Sequence, residues 1–189
     1  TGSFLVAAVV APLAVGFLGM VIERVALRPI EEDIPTTLIA TFALLIVLDQ
    51  IGLLVFGPGT RPVSAPIQGS VTLAGITYPL YRLSVAVVSL GLMGALYLFL
   101  HRTRYGMWMR GVRQDLEMAS ALGIPRSQVY VVTFGLGAGL AALAGVLLSP
   151  IVGVNHLMGL DILAVAFIVV IVGGLGSLKG VLVASLVYA

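Results

Sequence analysis

Apolar residues run along this chain in long blocks. Phe4 to Ile22 carries no charge, Thr36 to Phe56 is interrupted only by Asp49-Gln50, and Leu83 to Leu100 and Val129 to Leu148 follow. A helix needs about 20 mostly apolar residues to cross a hydrocarbon core of about 30 Å, and each block meets that length. A fifth block, Ile162 to Val172, is unbroken but short; 11 residues of helix rise only about 16 Å. Gly173-Gly174-Leu175-Gly176-Ser177 ends it, and Val181 to Ala189 resumes the apolar pattern. The short alternating segments of a membrane β-barrel are absent. The pattern predicts an all-α fold, a polytopic transmembrane helix bundle of about five to six membrane segments, with residues 1–189 forming one transmembrane domain.

Composition agrees. Hydrophobic residues make up 60% of the 189 and charged residues 10%, where a soluble domain averages about 25% charged. Mean hydropathy is +1.16. That excludes an ordinary soluble enzyme, a disordered segment and a coiled coil. The chain opens on Thr1 and closes inside an apolar run, so it reads as a fragment with further helices expected at both ends. Residues 1–22 lack the basic n-region of a signal peptide.

Charge gives an orientation. Residues 101–128 hold Arg102, Arg104, Arg110, Arg113 and Arg126, residues 57–82 only Arg61 and Arg82, and residues 149–161 no basic residue. Basic loops stay in the cytoplasm. The rule puts 101–128 inside, 57–82 and 149–161 outside, and 23–35 inside with Arg24 and Arg28. Glu31, Glu32 and Asp33 count little, because the rule weighs basic residues. The expected location is the inner cell membrane, crossed several times. Ten basic residues and a net charge of +2 then report topology rather than nucleic acid. The Gly- and Pro-rich extracytoplasmic loop 57–82 has two readings: a plain connector, or a cap in which Ser70–Leu73 pairs with Ile76–Tyr78 across Ala74-Gly75.

Chemistry is sparse. There is no cysteine, and His101 and His156 are the only histidines, so no metal site and no thiol nucleophile is expected. No Ser/His/Asp grouping occurs. Gly137 opens a G-x-G-x-x-A that no strand precedes, and Gly173–Gly180 lacks the phosphate-loop spacing, so neither binds a nucleotide. No cofactor and no catalytic residue is expected; the work is conformational.

One segment between the spans is built like a handle. Asp115 suits an N-cap, Glu117 suits the first turn, Gly123 suits the position after the last turn, and Pro125 stops the helix. This spacing predicts a short helix over 116–122. Leu116, Ala119, Ser120 and Gly123 share one face, a small surface that another body can approach closely.

Glu117-Met118-Ala119-Ser120-Ala121-Leu122-Gly123 resembles the E-A-A-x-x-x-G loop of ABC importer permeases, with Met118 in place of the first alanine. Arg104-Tyr105-Gly106, Arg110, Asp115 to Ile124, Ala141 to Leu147, Met158-Gly159, Phe167, Gly173–Ser177 with Gly180, Glu23-Arg24 with Arg28-Pro29, and Leu48 with Gln50 narrow this. Together they resemble the LivH-type branched-chain amino-acid permeases over nearly the whole chain; Asp49 departs from the pattern. The resemblance implies a permease subunit that moves branched-chain amino acids or similar small solutes by ATP-driven alternating access. It implies ABC ATPase subunits as partners, a second permease subunit, an extracytoplasmic solute-binding protein, and ATP hydrolysis on a separate chain. Loop 101–128 becomes the coupling loop, with Glu117, Ala119, Ser120 and Gly123 facing the ATPase. Urea or short-amide permeases share the pattern, and an ion-coupled secondary transporter is the alternative from another class.

Other residues complete the reading. Gly135 and Gly139 form a G-x-x-x-G that Gly145 extends, a face for close helix packing. Gly173, Gly174, Gly176 and Ser177 break a helix, either as a tight turn or as a kink lining a path. Asp49 and Gln50 are candidate intramembrane polar residues; Asp49 also has Arg61 and Arg82 as conceivable partners. Asp161 suits an N-cap for a helix from Ile162, Asn155 and His156 suit a solvated loop, and Trp108 suits an interfacial anchor. Arg102, Arg104, Arg110 and Arg113 suit membrane lipid headgroups.

Overall fold

A computed structural model describes residues 2–30, 34–66, 69–73, 76–174 and 176–188. Glu31–Asp33, Ile67-Gln68, Ala74-Gly75, Leu175 and the two terminal residues lie outside them. The apolar blocks become helices: α1 (Gly2–Ile22), α2 (Ile34–Phe56), α3 (Leu80–Arg102), α6 (Arg126–Val152), α7 (Met158–Gly173) and α8 (Leu178–Tyr188). Between α3 and α6 lie α4 (Arg104–Gln114) and α5 (Leu116–Ala121). After α1 the backbone widens into one π-helical stretch, Glu23–Leu27, and then tightens into a 3₁₀ turn, Arg28–Ile30. The widening shows in the N–H of Arg28, which donates to the carbonyl of Glu23, five residues back.

Among the described residues, four helices are long and apolar enough to cross a membrane: Phe4–Ile30 counted through the π-turn, Pro35–Phe56, Leu80–Arg102 and Arg126–Val152. α7 is a shorter apolar helix. Large side chains such as Leu13, Phe17, Ile39, Phe42, Val87 and Leu98 face outward. Water would penalise such a surface, whereas lipid or neighbouring helices accept it. This is a multi-pass, all-α membrane protein. Strand is confined, among the described residues, to an antiparallel hairpin in which β1 (Ser70–Leu73) pairs with β2 (Ile76–Pro79), Ser70 opposite Pro79 and Leu73 opposite Ile76. The pairing expected of Ser70–Leu73 with Ile76–Tyr78 is therefore observed, while Ala74-Gly75 between them lies outside the described residues.

Contacts group the chain into two compact units. One holds Thr1–Leu45 and Pro62–Gly153; the other holds Ile46–Arg61 and Val154–Ala189. In the first, α1 and α6 pack as an antiparallel pair through small residues. A Cβ on Gly16 would stand 3.1 Å from the Gly135 carbonyl oxygen, and one on Gly139 would stand 3.0 Å from the Pro12 carbonyl oxygen. Backbones that close gain dispersion contact along the whole seam, the main attraction left between helices in lipid.

The same unit is latched near the other end of α6. Pro150 has no N–H for the Val146 carbonyl, and the buried Ser149 hydroxyl donates to that carbonyl across 2.8 Å. The Tyr81 hydroxyl on α3 donates to the neighbouring Leu147 carbonyl across 2.7 Å, while its ring meets Phe4 of α1 edge-on at 6.3 Å. In the second unit the backbones of Arg61 and Val154 exchange hydrogen bonds of 2.9 and 3.0 Å, tying the loop after α2 to the start of the α7 segment.

Candidate functional site

The handle is assembled from α4, α5 and the first turns of α6. Thr103 is the joint that carries it. Its hydroxyl donates to the Phe99 carbonyl at the end of α3, 2.7 Å away, and accepts the Gly106 N–H at the start of α4, 3.1 Å away. One side chain thus finishes one helix and opens the next. A Cβ on Gly106 would collide with the backbone of Leu100, so the turn closes this tightly only with glycine there. α4 was not foreseen as a helix. It is amphipathic, with Gly106 and Val112 buried and Arg104, Arg110 and Arg113 exposed.

Asp115 divides α4 from α5. Its N–H donates to the Gly111 carbonyl, and its carboxylate accepts the Met118 N–H at 2.9 Å. The expected N-cap is the observed one. At the other end Gly123 takes φ +78°. Its N–H donates to the Ser120 carbonyl, and the Ile124 N–H donates to the Ala119 carbonyl, each across 3.0 Å. These two bonds make a Schellman motif, which satisfies the last carbonyls of the helix. A two-turn helix is marginal alone; capping at both ends and one buried contact hold this one.

That contact is Ala119, only 3% exposed, packed with Val112 of α4 and Val129 of α6. Trp108, Met109 and Ile124 surround the cluster. Two expectations change here. Of the face formed by Leu116, Ala119, Ser120 and Gly123, Ala119 alone is buried, its methyl set against Val112 and Val129; Ala119 seats the helix and offers no outward surface. Trp108 is half-buried in the same cluster. The outward face carries Glu117, Met118, Ala121 and Leu122, all exposed, with Met118 at 60% and Leu122 at 74%. Ser120 is exposed as well, its hydroxyl turned back onto the Leu116 carbonyl at 2.8 Å. Met118 and Leu122 were missed. Their signal was present: two large apolar residues four apart, with only the small residues Ala119, Ser120 and Ala121 between them.

The glycines sort into distinct places. Gly135 and Gly139 lie in the α1 seam, while open space surrounds the Cβ position of Gly145. The partners Gly16 and Gly19 of α1 were not foreseen. Gly173 ends α7, and Gly174 follows with φ +87°. Ser177 then caps α8, its hydroxyl accepting the Gly180 N–H at 3.1 Å. A Cβ on Gly173 would stand 2.6 Å from Val181 Cα, so α7 and α8 meet backbone to backbone. They flank a cleft of about 650 Å³ between Ile168 and Val172 on one side and Val183 and Val187 on the other. The segment between α7 and α8 includes Leu175, which lies outside the described residues.

Asp49 is half-buried and Gln50 exposed on α2. Arg61 donates to the Phe56 carbonyl at 3.2 Å, so it caps the end of α2. Arg82 is exposed in the first turn of α3. Asp161 lies in the first turn of α7, which starts four residues earlier than a cap at 161 requires. Asn155 and His156 are half-buried, with Asn155 Oδ1 and His156 Nδ1 shielded from solvent. Glu23, in the π-turn, is 3% exposed.

These features define a polytopic helical membrane protein whose most strongly shaped element outside the spans is a short, doubly capped helix. The family model described as "Branched-chain amino acid transport system / permease component" matches residues 1–189, and the chain belongs to that family. It is 31% identical to the high-affinity branched-chain amino acid transport system permease protein LivH of Salmonella typhimurium, over 93% of this chain and 62% of that protein. It is 32% identical to LivH of Escherichia coli strain K12 over the same shares. It is 32% identical to the permease protein BraD of Pseudomonas aeruginosa, over 89% of this chain and 57% of BraD. The chain thus spans about three fifths of the length of these curated relatives. No solved structure matches it.

Proposed function

We propose that this chain is the transmembrane part of an ABC importer permease subunit for branched-chain amino acids or similar small solutes. Its partners are a second permease subunit, two ATPase subunits and an extracytoplasmic solute-binding protein. It sits in the inner membrane with 101–128 on the cytoplasmic side. ATPase closure pushes α5, and α4 and α6 pass the displacement into the spans, alternating the access of the solute path. The 173–177 segment and the polar pair Asp49 and Gln50 are candidates for lining that path.

One observation carries this reading: α5 is fixed at both ends and seated on α4 and α6 by Ala119, yet shows Glu117, Met118 and Leu122 outward. A loop with no partner has no need to display a 74%-exposed leucine on so rigid a support, since water penalises that surface. The test is co-purification of the full-length protein with its candidate ATPases, comparing the native chain with Glu117→Lys and Leu122→Asp. Retention of the ATPase by the native chain and its loss in both variants support the reading. An uptake activity that needs no ATPase and follows an ion gradient overturns it.

A further inference from the structure

We propose that the groove between the π-turn after α1 and the first turns of α6 is a binding site for the headgroup of an anionic phospholipid. The groove holds about 420 Å³ and is lined by Arg24, Arg28, Tyr105, Ser127 and Gln128, with Val131 and Val132 deeper along α6. This inference is independent of the importer reading; it needs only that α1 and α6 span a bilayer.

Its position follows from the antiparallel seam. Gly16 faces Gly139 and Gly135, and Gly19 faces Gly135 and Ala138. The C-terminal end of α1 and the N-terminal end of α6 therefore leave the membrane on the same side, at the level where headgroups lie. The π-turn shapes the rim. With its hydrogen bond closing five residues back, the widened turn sets the exposed Arg24 and Arg28 along one wall. A π-stretch within a helix is rare and is found often at functional sites.

The lining combines two kinds of chemistry. The Arg24 and Arg28 guanidinium groups can each grip phosphate oxygens with two parallel N–H donors. The Tyr105 and Ser127 hydroxyls and the Gln128 amide offer further hydrogen bonds. About one turn further along α6, the wall becomes Val131 and Val132, suited to the glycerol and the first acyl carbons. A soluble phosphate needs no apolar floor, and an acidic protein surface does not reach one. A basic pocket between spans at the membrane surface is the usual shape of a site for anionic lipid headgroups.

The full-length permease is reconstituted in nanodiscs of phosphatidylcholine, with or without phosphatidylglycerol, and read by native mass spectrometry and thermal melting. The native chain is expected to keep at least one more phosphatidylglycerol than Arg24→Gln/Arg28→Gln, and to melt higher with that lipid while the variant does not. Arg82→Gln, an exposed arginine at the start of α3 and outside the groove, is expected to behave as the native chain. If the Gln pair fails to fold, Arg24→Lys/Arg28→Lys keeps the charge and loses the paired donors; its retention of the lipid is expected to fall severalfold. Equal lipid retention by native and variant chains overturns the proposal. So does stabilisation by inorganic phosphate alone, which would make the ligand a free anion. Loss of an ATPase subunit from the variant with lipid retention unchanged also overturns it, by making the groove a protein contact.

Discussion

The Ile124 N–H reaches back over Gly123 to the Ala119 carbonyl, 3.0 Å away, so the residue that seats α5 in the protein is also the acceptor that ends it. The loop closes because Gly123 sits at φ +78°. Gly123→Ala forces a side chain into left-handed backbone, at a cost of about 1–2 kcal/mol. The expected outcome is faster hydrogen exchange over 116–124, with exchange in α6 beyond Val129 unchanged. Unchanged exchange in α5 would contradict the role given to Gly123.

Ala119 is the second test of the same seat. Ala119→Leu places three extra carbons between Val112 and Val129 and is expected to cost about 1–3 kcal/mol by overpacking. Ala121→Leu adds the same carbons on the exposed side and is expected to change the melting temperature little. Equal effects of the two would mean that α5 is not held by Ala119.

At the α1–α6 seam, Gly135→Leu is expected to lower the melting temperature in detergent by several degrees, because a Cβ there meets Met20 and, at 3.0 Å, the Gly16 carbonyl oxygen. Gly145→Leu is the matched control, since open space surrounds its Cβ position. A drop at 145 equal to that at 135 would refute the seam as the closest approach of these helices.

Tyr81→Phe removes the hydroxyl from the Leu147 carbonyl and keeps the ring against Phe4. Hydrogen bonds between membrane helices average about 0.6 kcal/mol, so a small loss of stability is expected. Tyr81→Ala removes both contacts and is expected to cost clearly more. Thermal melts of the two variants in one detergent check the order.

Much of this structure could be read from the residue pattern. The spans were legible because hydropathy alone decides whether a helix enters lipid, and the Asp115 and Gly123 caps because capping is local chemistry. α4 was hidden. Its arginines suggested a loop, and its helix depends on Val112 and Trp108 meeting residues of α5 and α6. The place of Ala119 was hidden for a related reason. A small residue there fits an approaching partner or the protein itself, and only the positions of Val112 and Val129 bury it. Gly135 and Gly139 announced a close helix contact; their partners Gly16 and Gly19 lie over a hundred residues away, beyond the reach of any spacing argument.

The claim that α5 is the coupling element rests on which side of it is free. The chain has no cysteine, so a single introduced thiol reports one position in it. Leu122→Cys and Ala119→Cys are placed in turn in the full-length protein, freed of any other cysteine and co-expressed with its candidate ATPase, and each thiol is labelled with a short photoreactive reagent that joins any neighbouring chain on illumination. A cross-linked permease–ATPase band is expected with Leu122→Cys and none with Ala119→Cys. A band from Ala119→Cys with none from Leu122→Cys, in protein of native melting temperature, would contradict the account.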